Sequence, residues 1–195
     1  YGPDHPDTLE CMSSLAAAYQ AAGKLDRALP LYEETLEKRR AKLGHKHVDT
    51  LISVSHLARC YQVAGKADRA LPLHKEAAER TRERLGSDHL RTLTCMNNLG
   101  ACYLAAGQGE LAIPILEETL QKRKAQLGPD HPDTLASMNN RASAYRSARK
   151  LDRAVQLCED ALKVLRPKLG QDHPSTIKVL ANLAAFYQMA GKSAK

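Results

Sequence analysis

An eight-residue phrase returns at a fixed step of 42 residues: Gly2-Pro3-Asp4-His5-Pro6-Asp7-Thr8-Leu9, then residues 44–51, 86–93, 128–135 and 170–177. No insertion or deletion disturbs the step, so the chain must be an array of one supersecondary unit whose copies bury each other's apolar faces. Four full units (2–43, 44–85, 86–127 and 128–169) and a partial fifth (170–195) make up the 195 residues, which are expected to form one domain, 1–195. Function is expected on a surface that several units share.

Other positions recur in phase and define the unit. Tyrosine returns at 19, 61, 103, 145 and 187, glycine at 23, 65, 107 and 191, and alanine at 28, 70, 112 and 154, with Arg149 in place of one glycine. Before each tyrosine the apolar residues keep helical spacing, as in Leu9, Met12, Leu15 and Ala16. Pro6, Pro132 and Pro174 suit a first helical turn, and Asp4, Asp88, Asp130 and Asp172 just upstream are capping candidates. The glycines mark a left-handed stop, and Asp26, Asp68, Glu110 and Asp152 open a second helix. Each unit therefore reads as helix A, tight turn, helix B.

Helix B of the first unit is expected over 25–43, with Ala28, Leu31, Tyr32, Leu36 and Leu43 as its apolar stripe and a bend at Pro30. Its last turns are basic: Lys38, Arg39, Arg40 and Lys42 in the first unit, and Lys122, Arg123 and Lys124 in the third, read as a solvated terminus matched to the helix dipole.

The order Leu15, Ala16, Tyr19, Gly23, Ala28, Tyr32 resembles the tetratricopeptide repeat. The 42-residue step, the Leu-Gly-Pro-Asp-His-Pro-Asp-Thr linker at 127–134 and Asn97-Asn98-Leu99 make it similar to the kinesin light chain type. Its regularity also resembles the arrays of bacterial signalling proteins, including planctomycete serine/threonine kinases. The resemblance covers the whole chain and implies an all-α, right-handed superhelical solenoid that binds extended peptides along the inner faces of its A helices. The chain opens one residue before a repeat boundary and stops after the fifth helix A, so it is expected to be a piece of a longer array with uncapped ends.

Charged residues make up 26% and apolar residues 43%, which fits a soluble helical array. Neither a signal peptide nor a membrane-length apolar run is visible. Five cysteines, with no C-x-x-C pair, are expected as reduced thiols in a cytoplasmic protein. His5, His47, His89, His131 and His173 share one loop position, which implies a structural task, and His45 with His47 makes a weak zinc signal. No phosphate loop, H-E-x-x-H or nucleophile constellation is present, so no enzyme, metal or cofactor is expected.

The expected site is a concave, non-catalytic groove for an extended, acidic peptide. Asn97 and Asn139, carried there by the resemblance, would hold the peptide backbone, with Gln62 beside them, and Arg59, Arg146 and Lys178 would meet carboxylates. In the fourth unit Arg141 replaces the recurring leucine and Arg149 the turn glycine; with Lys150 and Arg153 they form a basic patch suited to an anionic partner or left by drift. Self-association through the ends, or service as a regulatory segment of a larger signalling protein, remains open. The excess of 29 Lys and Arg over 22 Asp and Glu raises RNA as a third partner. Against it, the recurring tyrosines fall on the buried stripe and cannot stack bases.

Overall fold

In a computed structural model, which describes residue 2 and residues 4–191, the described residues form nine α-helices and no strand. They are α1 (Pro6–Ala21), α2 (Leu25–Leu43), α3 (Val48–Val63), α4 (Ala67–Leu85), α5 (Leu90–Ala105), α6 (Gly109–Leu127), α7 (Pro132–Ser147), α8 (Leu151–Leu169) and α9 (Pro174–Met189). Odd-numbered helices are the A helices and even-numbered ones the B helices. Tyr1, Pro3 and residues 192–195, the last part of the partial fifth unit, lie outside the described residues.

Two compact units divide the chain, Tyr1–Cys102 and Tyr103–Lys195, with the boundary inside α5. In the first, α1 packs on α2, α2 on α3 and α3 on α4; in the second, α6 packs on α7, α7 on α8 and α8 on α9. The in-phase residues supply each core. Leu9, Ala16, Ala28, Tyr32, Leu36 and Leu51 are buried in the first unit, and Leu116, Leu120, Ala142, Tyr145, Ala154 and Leu162 in the second. Burying each large aliphatic or aromatic side chain contributes about 1.5–3 kcal/mol. One core position changes identity without leaving the interior: Tyr32, His74, Leu116 and Cys158 are all buried.

Helix starts correct the expectation that the aspartates cap them. The Nδ1 atoms of His5, His47, His131 and His173 accept the backbone N–H of Asp7, Asp49, Asp133 and Ser175, and His89 accepts that of Arg91, all at 3.1–3.3 Å. The aspartates stand one residue too early, whereas an N-cap side chain reaches the second helical N–H. The shared task of the five histidines is thus capping. The helix ends follow expectation. Lys66 N–H bonds Tyr61 C=O at 2.9 Å and Gly65 N–H bonds Gln62 C=O at 3.1 Å, closing a Schellman turn with Gly65 at φ 71°. The fourth repeat keeps this turn with Arg149 at φ 57°, the one described non-glycine residue with positive φ. Pro30, Pro72, Pro114 and Pro167 all lie inside B helices that run on past them.

Candidate functional site

Two basic residues read as solvated are interior: Arg39 is 4% exposed and Arg123 is 2% exposed. Three consecutive basic residues on a helix cannot all face water when one angular position points to the next A helix. Arg39 uses that position to donate to Asp49 C=O at 3.3 Å, Ser53 Oγ at 2.9 Å and Glu10 at 2.7 Å. Arg123 likewise donates to Asp133 C=O and Ser137 Oγ, both at 2.9 Å. Its desolvated guanidinium has its pKa lowered by burial.

The intervening repeat breaks both halves of this arrangement together. Thr81 stands in the register of Arg39 and Arg123, and Cys95 in that of Ser53 and Ser137. The Thr81 hydroxyl turns back to Ala77 C=O and sits 3.6 Å from Cys95 Sγ. With no arginine stem to fill it, the space between α3, α4 and α5 opens as a pocket of about 450 Å³. Leu51, Ile52, Leu85 and Leu90 make its apolar lining, with Thr81, Cys95, Ser55 and Asn98 beside them. That volume falls in the range of ligand-binding clefts.

Arg59 of α3 and Arg91 of α5 also line the pocket; both are exposed, and neither joins an ion pair among the described residues. His56 completes the wall. Its Nδ1 lies 3.4 Å from Ser13 Oγ and its ring 5.8 Å from that of Tyr32. Burial, and then the positive charges of Arg39 and Arg59, lower its pKa, so the imidazole is neutral at pH 7. An apolar cleft flanked by uncompensated guanidinium groups can hold an apolar group attached to carboxylates.

The sequence-predicted residues are spread over both units. In the first, Arg59 lines the pocket, Gln62 Oε1 lies 3.1 Å from His74 Nε2, and Asn97 is buried at 8% exposure while its neighbour Asn98 lines the pocket. In the second, Asn139 Oδ1 accepts from Asn182 Nδ2 at 2.9 Å, and Arg146 and Lys178 are exposed. The basic patch is partly neutralised. Arg141 pairs with Glu117 at 2.6 Å and covers the Tyr145 ring, Lys150 pairs with Glu110 at 2.7 Å, and Arg149 and Arg153 remain exposed. Sequence reasoning missed Thr81, Arg91, Cys95 and Asn98. The available signal was the paired change of Arg-Ser to Thr-Cys between aligned repeats.

Among the described residues no three His, Cys, Asp or Glu side chains gather in a metal-binding group, and no helix is long and apolar enough to cross a membrane. All five cysteines are free thiols, Cys11 exposed and the other four buried.

Comparison with known proteins bears on the whole chain. The tetratricopeptide repeat family matches residues 49–125, 98–166 and 139–195 in one form and residues 8–49 in a second. A solved structure of nearly identical TPR-like repeats assigned to a kinesin light chain of Podosopora anserina is 30% identical over 96% of this chain and 89% of that one, with a TM-score of 0.89. BtubC (BKLC) of P. vanneervenii is 26% identical over 95% of this chain and 74% of its own, with a TM-score of 0.79. The Arabidopsis thaliana protein KINESIN LIGHT CHAIN-RELATED 2 is 49% identical over 43 residues; the match takes in 22% of this chain and 6% of that relative's length. The recurring Tyr-Gly-Ala register, its helix pairs and these matches agree: the chain belongs to the tetratricopeptide repeat family, in its kinesin-light-chain-like form.

Proposed function

We propose that this protein is a non-enzymatic interaction module that takes an extended, acidic peptide segment on the inner faces of its A helices, with the pocket between α3 and α5 as the anchor. The observation that carries this reading is the pocket itself, opened where Thr81 and Cys95 replace the arginine and serine of the neighbouring repeats. An apolar side chain of the peptide enters against Leu51, Ile52, Leu85 and Leu90 while adjoining carboxylates meet Arg59 and Arg91. The second unit carries its own candidate groups, Asn139 bonded to Asn182 and the exposed cations Arg146 and Lys178, for a separate acidic contact. Charged hydrogen bonds contribute about 1.5–3 kcal/mol each when partly desolvated.

Panning a library of acidic peptides, with and without internal apolar residues, tests the reading. Enrichment of peptides that combine both features, lost in an Arg59→Glu, Arg91→Glu double variant, supports it. Enrichment of any acidic sequence, abolished by high salt, would instead indicate diffuse attraction to a surface of net charge +7.

A further inference from the structure

Beside the pocket, one register position changes its chemistry. Ser14, His56, Asn98, Asn140 and Asn182 recur every 42 residues, so His56 puts an imidazole where three of the other A helices carry a carboxamide. The tie to the preceding A helix is kept. Asn182 bonds Asn139, 43 residues earlier, at 2.9 Å, and His56 Nδ1 lies 3.4 Å from Ser13 Oγ across the same step. Ser13 is buried, and its hydroxyl can either donate to Nδ1 or accept from it. The ring is therefore satisfied on that side whether neutral or protonated. Nε2, on the opposite edge, has no partner among the described residues, and the ring lines the pocket.

The charges that face His56 are positive apart from Glu10. Ser13 and Glu10 come from α1, Tyr32 and Arg39 from α2, and Arg59 from α3 itself; across the pocket stand Arg91 and Cys95 of α5, with Thr81 and Leu85 of α4. Arg39 engages Glu10 at 2.7 Å. Arg59 follows His56 by three residues, on the same helical face. A carboxylate that meets Arg59 therefore comes within reach of Nε2, and such a neighbour favours the protonated ring. Arg91 occupies the register of Asp49, seven residues before that of His56, which is about 10 Å along a helix.

We propose that, given the acidic-peptide reading of the site, His56 makes capture at this pocket pH-dependent: seating of the peptide draws a proton onto the imidazole, which then bonds the carboxylate held by Arg59. The free ring is neutral at pH 7 and the bound ring is more basic, so binding takes up a proton and tightens as pH falls. Other histidines act differently. The pKa of His74 is about 4, and protonation of His89 would cost α5 its cap and weaken the site in acid. The carboxylates of the peptide stay ionised down to about pH 5.5.

A fluorescent peptide with one leucine flanked by two glutamates on each side, titrated against the whole chain from pH 8 to pH 5.5 by anisotropy, tests this. Affinity is expected to rise about tenfold, the change that one pKa unit produces. Calorimetry of the parent protein in two buffers of different ionisation enthalpy is expected to report net proton uptake, a readout that no misfolded variant can confuse. His56→Asn, the residue type of Asn98, should show a flat profile, and Arg91→Gln a weaker affinity with the slope kept. Equal binding at both ends of the range, or a slope that survives His56→Asn, overturns the role of His56 alone. Absence of binding at every pH overturns the peptide reading and this role together.

Discussion

The Tyr145 hydroxyl donates to Glu117, 28 residues earlier on the preceding B helix, and Arg141 closes the triangle at 2.6 Å from Glu117 and 2.7 Å from the same hydroxyl. Tyr61 with Glu33 and Tyr187 with Glu159 repeat the tyrosine–carboxylate half of this arrangement. Arg141 therefore replaces the leucine of other repeats with an added ionic tie between α6 and α7. The Tyr145 hydroxyl first, and Arg141 with it, hold the Glu117 carboxyl below its ordinary range. A depressed folded-state pKa stabilises the protein above the unfolded-state pKa, and that stability is lost as pH falls through the folded value.

Tyr145→Phe removes the hydroxyl without changing the packing of the ring. Because Glu117 is partly exposed, the expected loss is about 1–2 kcal/mol, read as a lower urea midpoint at pH 7 with the gap closing in acid. An unchanged midpoint would show that water replaces the hydroxyl at no cost.

Arg149 holds a left-handed conformation that glycine holds in the other turns. Arg149→Gly should raise stability by about 1 kcal/mol, since glycine pays no Cβ penalty at φ 57°. Thermal unfolding of the two proteins checks this. No rise would mean that contacts of the arginine offset its backbone strain.

His74 is 1% exposed, and burial pushes its pKa down to about 4. The folded state thus favours the neutral ring. Its contribution is complete above the unfolded value of about 6.5 and falls away as pH drops from there to about 4, by about 3 kcal/mol at most. His74→Leu, the residue type at Leu116, should flatten the stability profile in that window. A profile as steep as that of the parent protein would assign the loss to other groups.

Much of the fold was legible because the repeat states each position several times. The A and B helices, the left-handed stop and Arg149 in that stop all follow from register alone. Capping is less legible, because Asp4 and its counterparts are commoner caps than histidine, yet His5 sits one residue closer to the N–H that needs an acceptor. The basic run around Arg39 and Arg123 suggests a solvated face by its charge, although the position of Arg39, three residues after Leu36, places it toward the interior. The pocket was hidden for a different reason. It arises from atoms absent at Thr81 relative to Arg39, and a search for conspicuous groove residues passes over a threonine. Asn97 stood out by that criterion, while its neighbour Asn98 lines the cavity.

The most direct test refills the pocket with the residues of the neighbouring repeats. In a Thr81→Arg, Cys95→Ser variant the arginine should cross toward α5 as Arg39 crosses to Ser53, leaving Arg59 and Arg91 in place. Affinity for an acidic peptide with an apolar anchor, selected on the parent protein and measured by fluorescence anisotropy, should fall at least tenfold while the helical circular dichroism stays unchanged. Undiminished affinity in a folded variant with a filled pocket would contradict the account.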